Sequence, residues 1–240
     1  ARSEMCIRDG FYTDTLGLRL VKKTVNQDDT SAYHLFYADG LASPGTDITF
    51  FDWPVQREQR GTNSVARTGL RVNGVESLDW WRKHLNDKGV QTGDIFEVAG
   101  RAVLDIEDPE GQRLRLTDDG GAGEAHSWDR SPVPAERQIR GLGPITLSVP
   151  ELAPTQIILE KVMNMRQTGD YASPDGEGHV HVFSMGPGGA AAELHVAVQP
   201  NLPTAWQGAG AVHHVAFRTP DQESMQEWVD RLRSGRMPSS

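Results

Sequence analysis

The sequence predicts an α+β fold made of tandem βαβββ modules. Amphipathic helical patterns begin near Phe11, Trp80, Ile157 and Trp228, roughly seventy residues apart. A short strand pattern precedes three of these helices, and strand-like segments separated by turn signals follow the first three. A unit that reads strand, helix, strand, strand, strand and recurs at that interval implies four modules.

In the first module the helical pattern FYTDTLGL is followed by strand patterns at residues 19–25, 32–37 and 47–51. The second opens with a strand at 68–72, continues through the helix WWRKHLNDKGV, and ends in strands at 94–98, 101–106 and 112–116. Asp108-Pro109-Glu110-Gly111 joins the last two, with the fixed φ of proline and the freedom of glycine expected of a tight turn. The third has a strand at 144–149, the helix IILEKVMNMR, and a glycine-rich turn at 186–189 before a strand at 191–198. The fourth has a strand at 214–217 that runs into the helix WVDRLRSG. A linker at 118–140, rich in Gly, Ser, Pro and charge, divides an N-terminal domain (10–117) from a C-terminal domain (141–240), each with two modules. Residues 1–9 show no alternating apolar pattern and read as a leader foreign to the modules.

Composition excludes several functions. The 240 residues are 37% hydrophobic and 24% charged, ordinary for a globular protein. A net charge of −9 with no basic run argues against nucleic acid as a partner. No apolar stretch approaches the roughly 18 residues of a membrane span, and the first residues lack the apolar centre of a signal peptide. Cys6 is the lone cysteine, so an intrachain disulfide and a thiolate-zinc site are excluded, which fits a cytoplasmic protein. Homo-oligomerisation is left open.

The candidate site residues begin with His213-His214-Val215-Ala216-Phe217. A histidine at the start of a strand and facing inward is a natural ligand for divalent iron, manganese or zinc, so His214 is the candidate metal ligand. Side-chain alternation sends His213 to the opposite face of that strand, where it either packs or contributes around the ligand. A rival set is His179, His181, Glu193 and His195, in which each pair shares a strand face. A polar sheet surface is the simpler account of that set, and Glu193 reads as a solvated or salt-bridged strand residue. His34, on a strand of the first module, is a candidate for substrate contact. His84 and His126 fall on a helix surface and in the linker, and Trp80-Trp81 reads as helix–sheet packing.

The run from Phe11 through Asp29, with Tyr33-His34-Leu35, Ser43-Pro44-Gly45-Thr46, Thr49-Phe50-Phe51 and the terminal HHVAF, resembles the vicinal oxygen chelate superfamily of glyoxalases and extradiol dioxygenases. Within it the chain is similar to the MhqO/PcpA-like, hydroquinone-type ring-cleaving dioxygenases. The resemblance implies mixed, curved sheets with the helices outside. It further implies a non-haem Fe(II), or Mn(II), held by two histidines and a carboxylate, with open positions for a small aromatic diol and O2. By the repeat register, His214 is one of those ligands. The other two are expected before residue 1 and about two dozen residues beyond Ser240. On that reading the chain is truncated at both ends, binds Fe(II) weakly and turns over no diol. Thr68 and Arg115 in the second module, and Pro144 in the third, stand at the histidine and carboxylate positions. Glu193 keeps its carboxylate without histidine partners, so these two modules read as a metal-free scaffold. Two alternatives remain on the same fold: a glyoxalase-like lyase or isomerase, and a metal-free small-molecule binder.

Overall fold

Alternating apolar residues in the first module build a small sheet. A computed structural model describes residues 8–27, 30–176 and 178–235. Most of the leader, and Asp28 and Asp29 of the motif, lie outside the described residues. A π-helical turn, Phe11–Thr15, leads into β1 (Arg19–Val25), β2 (Tyr33–Ala38) and β3 (Ile48–Phe51), which pair antiparallel in that order. Leu35, Tyr37 and Ile48 are buried against Tyr12 and Leu16 of the turn region. The intervening residues of β2 and β3 face the other way, because side chains alternate across a strand.

The second and third modules share one sheet. β4 (Ser64–Val72) is followed by α1 (Val75–Asp87), β5 (Phe96–Val98), β6 (Arg101–Glu107) and β7 (Arg113–Asp118). After the linker come β8 (Gly141–Val149) and the short α2 (Leu152–Ile157), which continues as a π-helical turn, Ile158–Val162. β9 (Arg166–Ala172), β10 (His179–Ser184) and β11 (Glu193–Val198) complete the module. The strand order β5-β6-β7-β4-β8-β11-β10-β9 is palindromic in module terms, with the opening strands β4 and β8 paired antiparallel at the centre. The linker therefore divides the sequence but does not separate the sheet. It packs Val133 and Ile139 into the first core, and its end is held where Asp119 accepts from Arg140 at 2.9 Å and from Arg71 at 3.0 Å. At the seam Gly69 lies against the Pro144 backbone so closely that a Cβ would meet Pro144 O at 2.5 Å.

α1 covers the outer face. Leu78, Trp81 and Leu85 recur on one helical stripe and bury against Leu104, Ile106, Leu114 and Leu116 of β6 and β7. Trp81 Nε1 donates to the Arg137 carbonyl at 2.8 Å, and His84 lies over Trp80 with its Nε2 3.0 Å from the Thr15 carbonyl. His84 thus ties the second module to the first. The opposite face of the sheet is concave. Arg101 on β6 and Glu193 on β11 are four strand positions apart, a separation of roughly 19 Å in a flat sheet. They nevertheless meet in a bidentate ion pair at 2.6 and 2.8 Å, which only a curled sheet permits. Curved, mixed sheets with helices outside are what the family resemblance implies.

The fourth module differs from the sequence reading. Residues 214–217 do not form a strand; the segment touches the sheet through a single bridge, Val212 to Val65. It leads to α3 (Gln222–Ser234), whose first turn is capped by the Asp221 carboxylate accepting from Ser224 N at 2.8 Å. α3 buries none of its residues and is tethered by Arg231 to the Lys161 carbonyl and the Asn164 side chain.

Candidate functional site

A cavity of about 1050 Å3 lies between the three-stranded sheet and residues 207–218. Its sheet wall follows from alternation: Leu35, Tyr37 and Ile48 point to the core, so His34, Phe36, Thr49 and Phe51 point into the cavity. Cross-strand register places Thr24, His34 and Phe51 in one row and Lys22, Phe36 and Thr49 in the next. The His34 ring lies 4.1 Å from Phe36 and 4.3 Å from Phe51, and Phe51 stacks on Trp53 at 4.6 Å. Each such pair contributes about 0.5–1.5 kcal/mol beyond simple burial. Lys22 sits over the Phe36 ring at 5.2 Å. Burial, helped by the charges of Lys22 and His214, lowers the His34 pKa below its ordinary 6.5, so the ring is neutral at pH 7. Its Nε2 is buried without a hydrogen-bond partner.

Arg8 lines the same cavity. Its guanidinium is buried, lies 5.4 Å from the Phe50 ring centre, and reaches Asp52 and Glu110 only at 3.7 Å. Tyr37 donates to Asp9 in a short hydrogen bond, and burial raises its pKa. Arg8, Phe36, Phe51 and Trp53 were not singled out from the sequence. The signal for the aromatic wall was present in YHLFYA and ITFF, where polar and aromatic residues occupy alternate positions.

His213 and His214 form the opposing wall. Their Nδ1 atoms are 3.0 Å apart and their rings nearly perpendicular, so one nitrogen donates and the other accepts. Both line the cavity, and His213 also sets its edge against Phe51 and Trp53 at 6.3 Å. The expectation that His213 faces away from His214 is corrected here. Alternation is imposed by a hydrogen-bonded ladder, and residues 213–217 have none. Among the described residues no group of three or more His, Cys, Asp or Glu side chains is placed to hold a metal ion. The cavity brings imidazoles together beside four carboxylates, Asp47, Asp52, Glu110 and Glu193, of which Glu193 is taken by Arg101 while Asp52 and Glu110 lie 3.7 Å from Arg8. These residues alone do not make up a three-ligand centre.

The rival histidine set is dispersed. On β10 and β11, Val182 opposes His195 and Ser184 opposes Glu193, which places His179 and His181 on the other face of the sheet from Glu193 and His195. His179 contacts Asp170 at 3.2 Å and His181 contacts Gln167 at 3.1 Å. Glu193 and His195 instead join the concave network of the second and third modules. Burial alone would raise the Glu193 pKa, but hydrogen bonds from His195 and Arg101 outweigh it and hold the carboxyl at about 2. His195 Nε2 donates to Glu193 at 3.3 Å, which leaves Nδ1 to accept from Tyr171 at 2.9 Å. Burial pushes Tyr171 up to about 12, so its hydroxyl keeps the proton this chain requires. Asp105 pairs with Arg115 at 2.6 Å, and Arg67 spans from Asp105 at 3.4 Å to Asp175 at 2.9 Å. Thr68 pairs with Leu114 across β4 and β7, so it is Gly69 that shares a face with Arg115. His126, in the linker, lies 3.1 Å from Ser43 Oγ.

Paired opening strands, a concave interior and helices outside define the vicinal oxygen chelate fold. A V278E variant of glyoxalase I from Zea mays shares that fold at a TM-score of 0.66, with 16% identity over 96% of this chain and 76% of that one. A dioxygenase from Bacillus subtilis superposes more closely, at a TM-score of 0.83 and 31% identity, covering 94% of this chain and 70% of that one. No protein-family model matches the sequence. The protein named ring-cleaving dioxygenase MhqA, from Bacillus subtilis strain 168, is 43% identical over 220 residues, covering 91% of this chain and 69% of the relative. The chlorohydroquinone/hydroquinone 1,2-dioxygenase of Sphingobium indicum is 30% identical over 215 residues, covering 86% of this chain and 64% of the relative. The chain belongs to the ring-cleaving dioxygenase family.

Proposed function

We propose that this protein acts on a hydroquinone-like aromatic diol in the cavity between the first and fourth modules, as a ring-cleaving dioxygenase that uses O2 and Fe(II). In this reading His214 is a metal ligand and His213 its neighbour. The observation that carries the proposal is the wall of His34, Phe36, Phe51 and Trp53 facing His213 and His214 across one cavity. At about 1050 Å3 it is ample for a single ring. Flat aromatic side chains bind the faces of an aromatic ring and keep water from it, while the imidazoles supply donors and acceptors for hydroxyl groups. Bound iron would supply activation of the diol and of O2. The name of the Sphingobium relative supports hydroquinone as the substrate class.

Tryptophan fluorescence titration of the 240-residue protein tests the cavity. Hydroquinone is expected to bind and 1,4-cyclohexanediol, which lacks an aromatic face, is not; equal binding, or none, refutes the assignment. Mn(II) binding followed by electron paramagnetic resonance tests the ligand. His214→Ala is expected to weaken it by about tenfold, and an unchanged affinity removes His214 from the metal. Because the described residues assemble no three-ligand group, retention of a diol without turnover is the second reading. Oxygen uptake with hydroquinone and added Fe(II) separates it from catalysis.

A further inference from the structure

We propose that His34 positions the substrate by hydrogen-bonding its second hydroxyl, and so selects 1,4-diols over singly hydroxylated rings. This rests on the diol reading above and adds the residue that would set specificity within it. Three observations support it. The His34 ring is packed against two neighbours, Phe36 at 4.1 Å and an angle of 36° and Phe51 at 4.3 Å and 28°. Its Nε2 is buried without a partner, although buried polar atoms are nearly always paired. His34 also stands on β2, on the wall opposite His213 and His214, and all three line the same cavity.

The geometry distinguishes among phenols. A 1,4-diol carries its two hydroxyls at opposite ends of the ring, so one oriented towards His214 directs the other across the cavity to the β2 wall. Phenol has nothing to offer there, and catechol presents its second hydroxyl on the side of the first. A neutral imidazole both donates and accepts, so it can pair with a phenolic hydroxyl in either sense. A site built to hydrogen-bond a hydroxyl rejects an analogue lacking it, because the site's own polar atom is then left unpaired.

The test is equilibrium binding of hydroquinone and phenol to the 240-residue protein and to two variants, His34→Leu and His34→Gln. The unaltered protein is expected to prefer hydroquinone on the order of 10-fold, the value of one good hydrogen bond. His34→Leu keeps the bulk between Phe36 and Phe51 but removes both nitrogens. It is expected to bring the two affinities within about twofold, because hydroquinone loses a contact that phenol does not make. His34→Gln, which restores a donor and an acceptor, is expected to recover part of the preference. A His34→Leu protein that still prefers hydroquinone overturns the role of His34 and leaves the diol reading standing. Equal weakening of both ligands also overturns it, since that shows loss of packing alone. Failure of the unaltered protein to bind either ligand overturns both.

Discussion

Replacing Glu193 with glutamine preserves the shape of the side chain and removes the charge that Arg101 grips across the concave face. Hydrogen bonds from His195 and Arg101 together outweigh burial and hold the carboxyl at about 2 against an ordinary value of 4.5, which corresponds to about 3 kcal/mol of stability at neutral pH. Arg101 is 26% exposed, so solvent screens part of the attraction, and about 2 kcal/mol is the expected loss at pH 7. For a chain of this length that lowers Tm by roughly 4–8 °C. Urea unfolding of the two proteins at pH 7 and pH 3 is the assay. A carboxyl whose folded pKa is depressed contributes fully above its unfolded value, and the contribution disappears as pH falls towards the folded value. The difference between the proteins is therefore complete at pH 7 and more than half gone by pH 3. A difference below about 0.5 kcal/mol at pH 7 would be no more than an ordinary surface substitution produces, and would refute the reasoning. A difference that is the same at both pH values would refute it too. A double-mutant cycle with Arg101→Met assigns the loss to the pair, with a coupling of at least about 1 kcal/mol.

Gly69→Ala forces a Cβ to within 2.5 Å of Pro144 O and 2.7 Å of Pro144 N, both backbone atoms that cannot rotate away. Destabilisation of about 3 kcal/mol, read as a fall in the urea midpoint, is expected, and a neutral effect would show that the β4–β8 seam is looser than described. Asp108→Ala removes the acceptor of the Tyr12 hydroxyl at 3.0 Å and of the Glu110 and Gln112 amides at 2.9 and 2.8 Å. The expected cost is about 2 kcal/mol by thermal unfolding, because these donors are left unsatisfied beside a buried core.

Much of the fold could be read where periodicity is strong. Residues 19–25 coincide with β1, and the patterns at 101–106 and 112–116 fall within two residues of β6 and β7. β9 gave no such signal: RQTGDYA lies on the polar edge of its sheet with nearly every residue exposed, and only its pairing with β10 defines it as a strand. The histidine sets show the same limit. That His179 shares a face with His181, and Glu193 with His195, follows from period two. That the two pairs face opposite ways depends on the register between strands, and a one-residue slip would have reversed it. Period two misplaces His213 for a related reason, because among the described residues one bridge ties that segment to the sheet and no ladder imposes alternation on it. Within the candidate cavity His34 and His214 were legible from residue type and position. The aromatic wall and Arg8 required the fold to bring them together.

The antiparallel meeting of β4 and β8 makes each half of the sheet the cover of the other. Each of these nine-residue strands is the open edge of its own half, and each is covered only by the other. A half released from its twin would bare that edge and become sticky, because unpaired strand backbone invites pairing with other chains. Gly69 and Pro144, fitted to each other at the crossing, make a side chain added in one half a clash with the backbone of the other. Two units that look repeated along the chain are a single sheet in space.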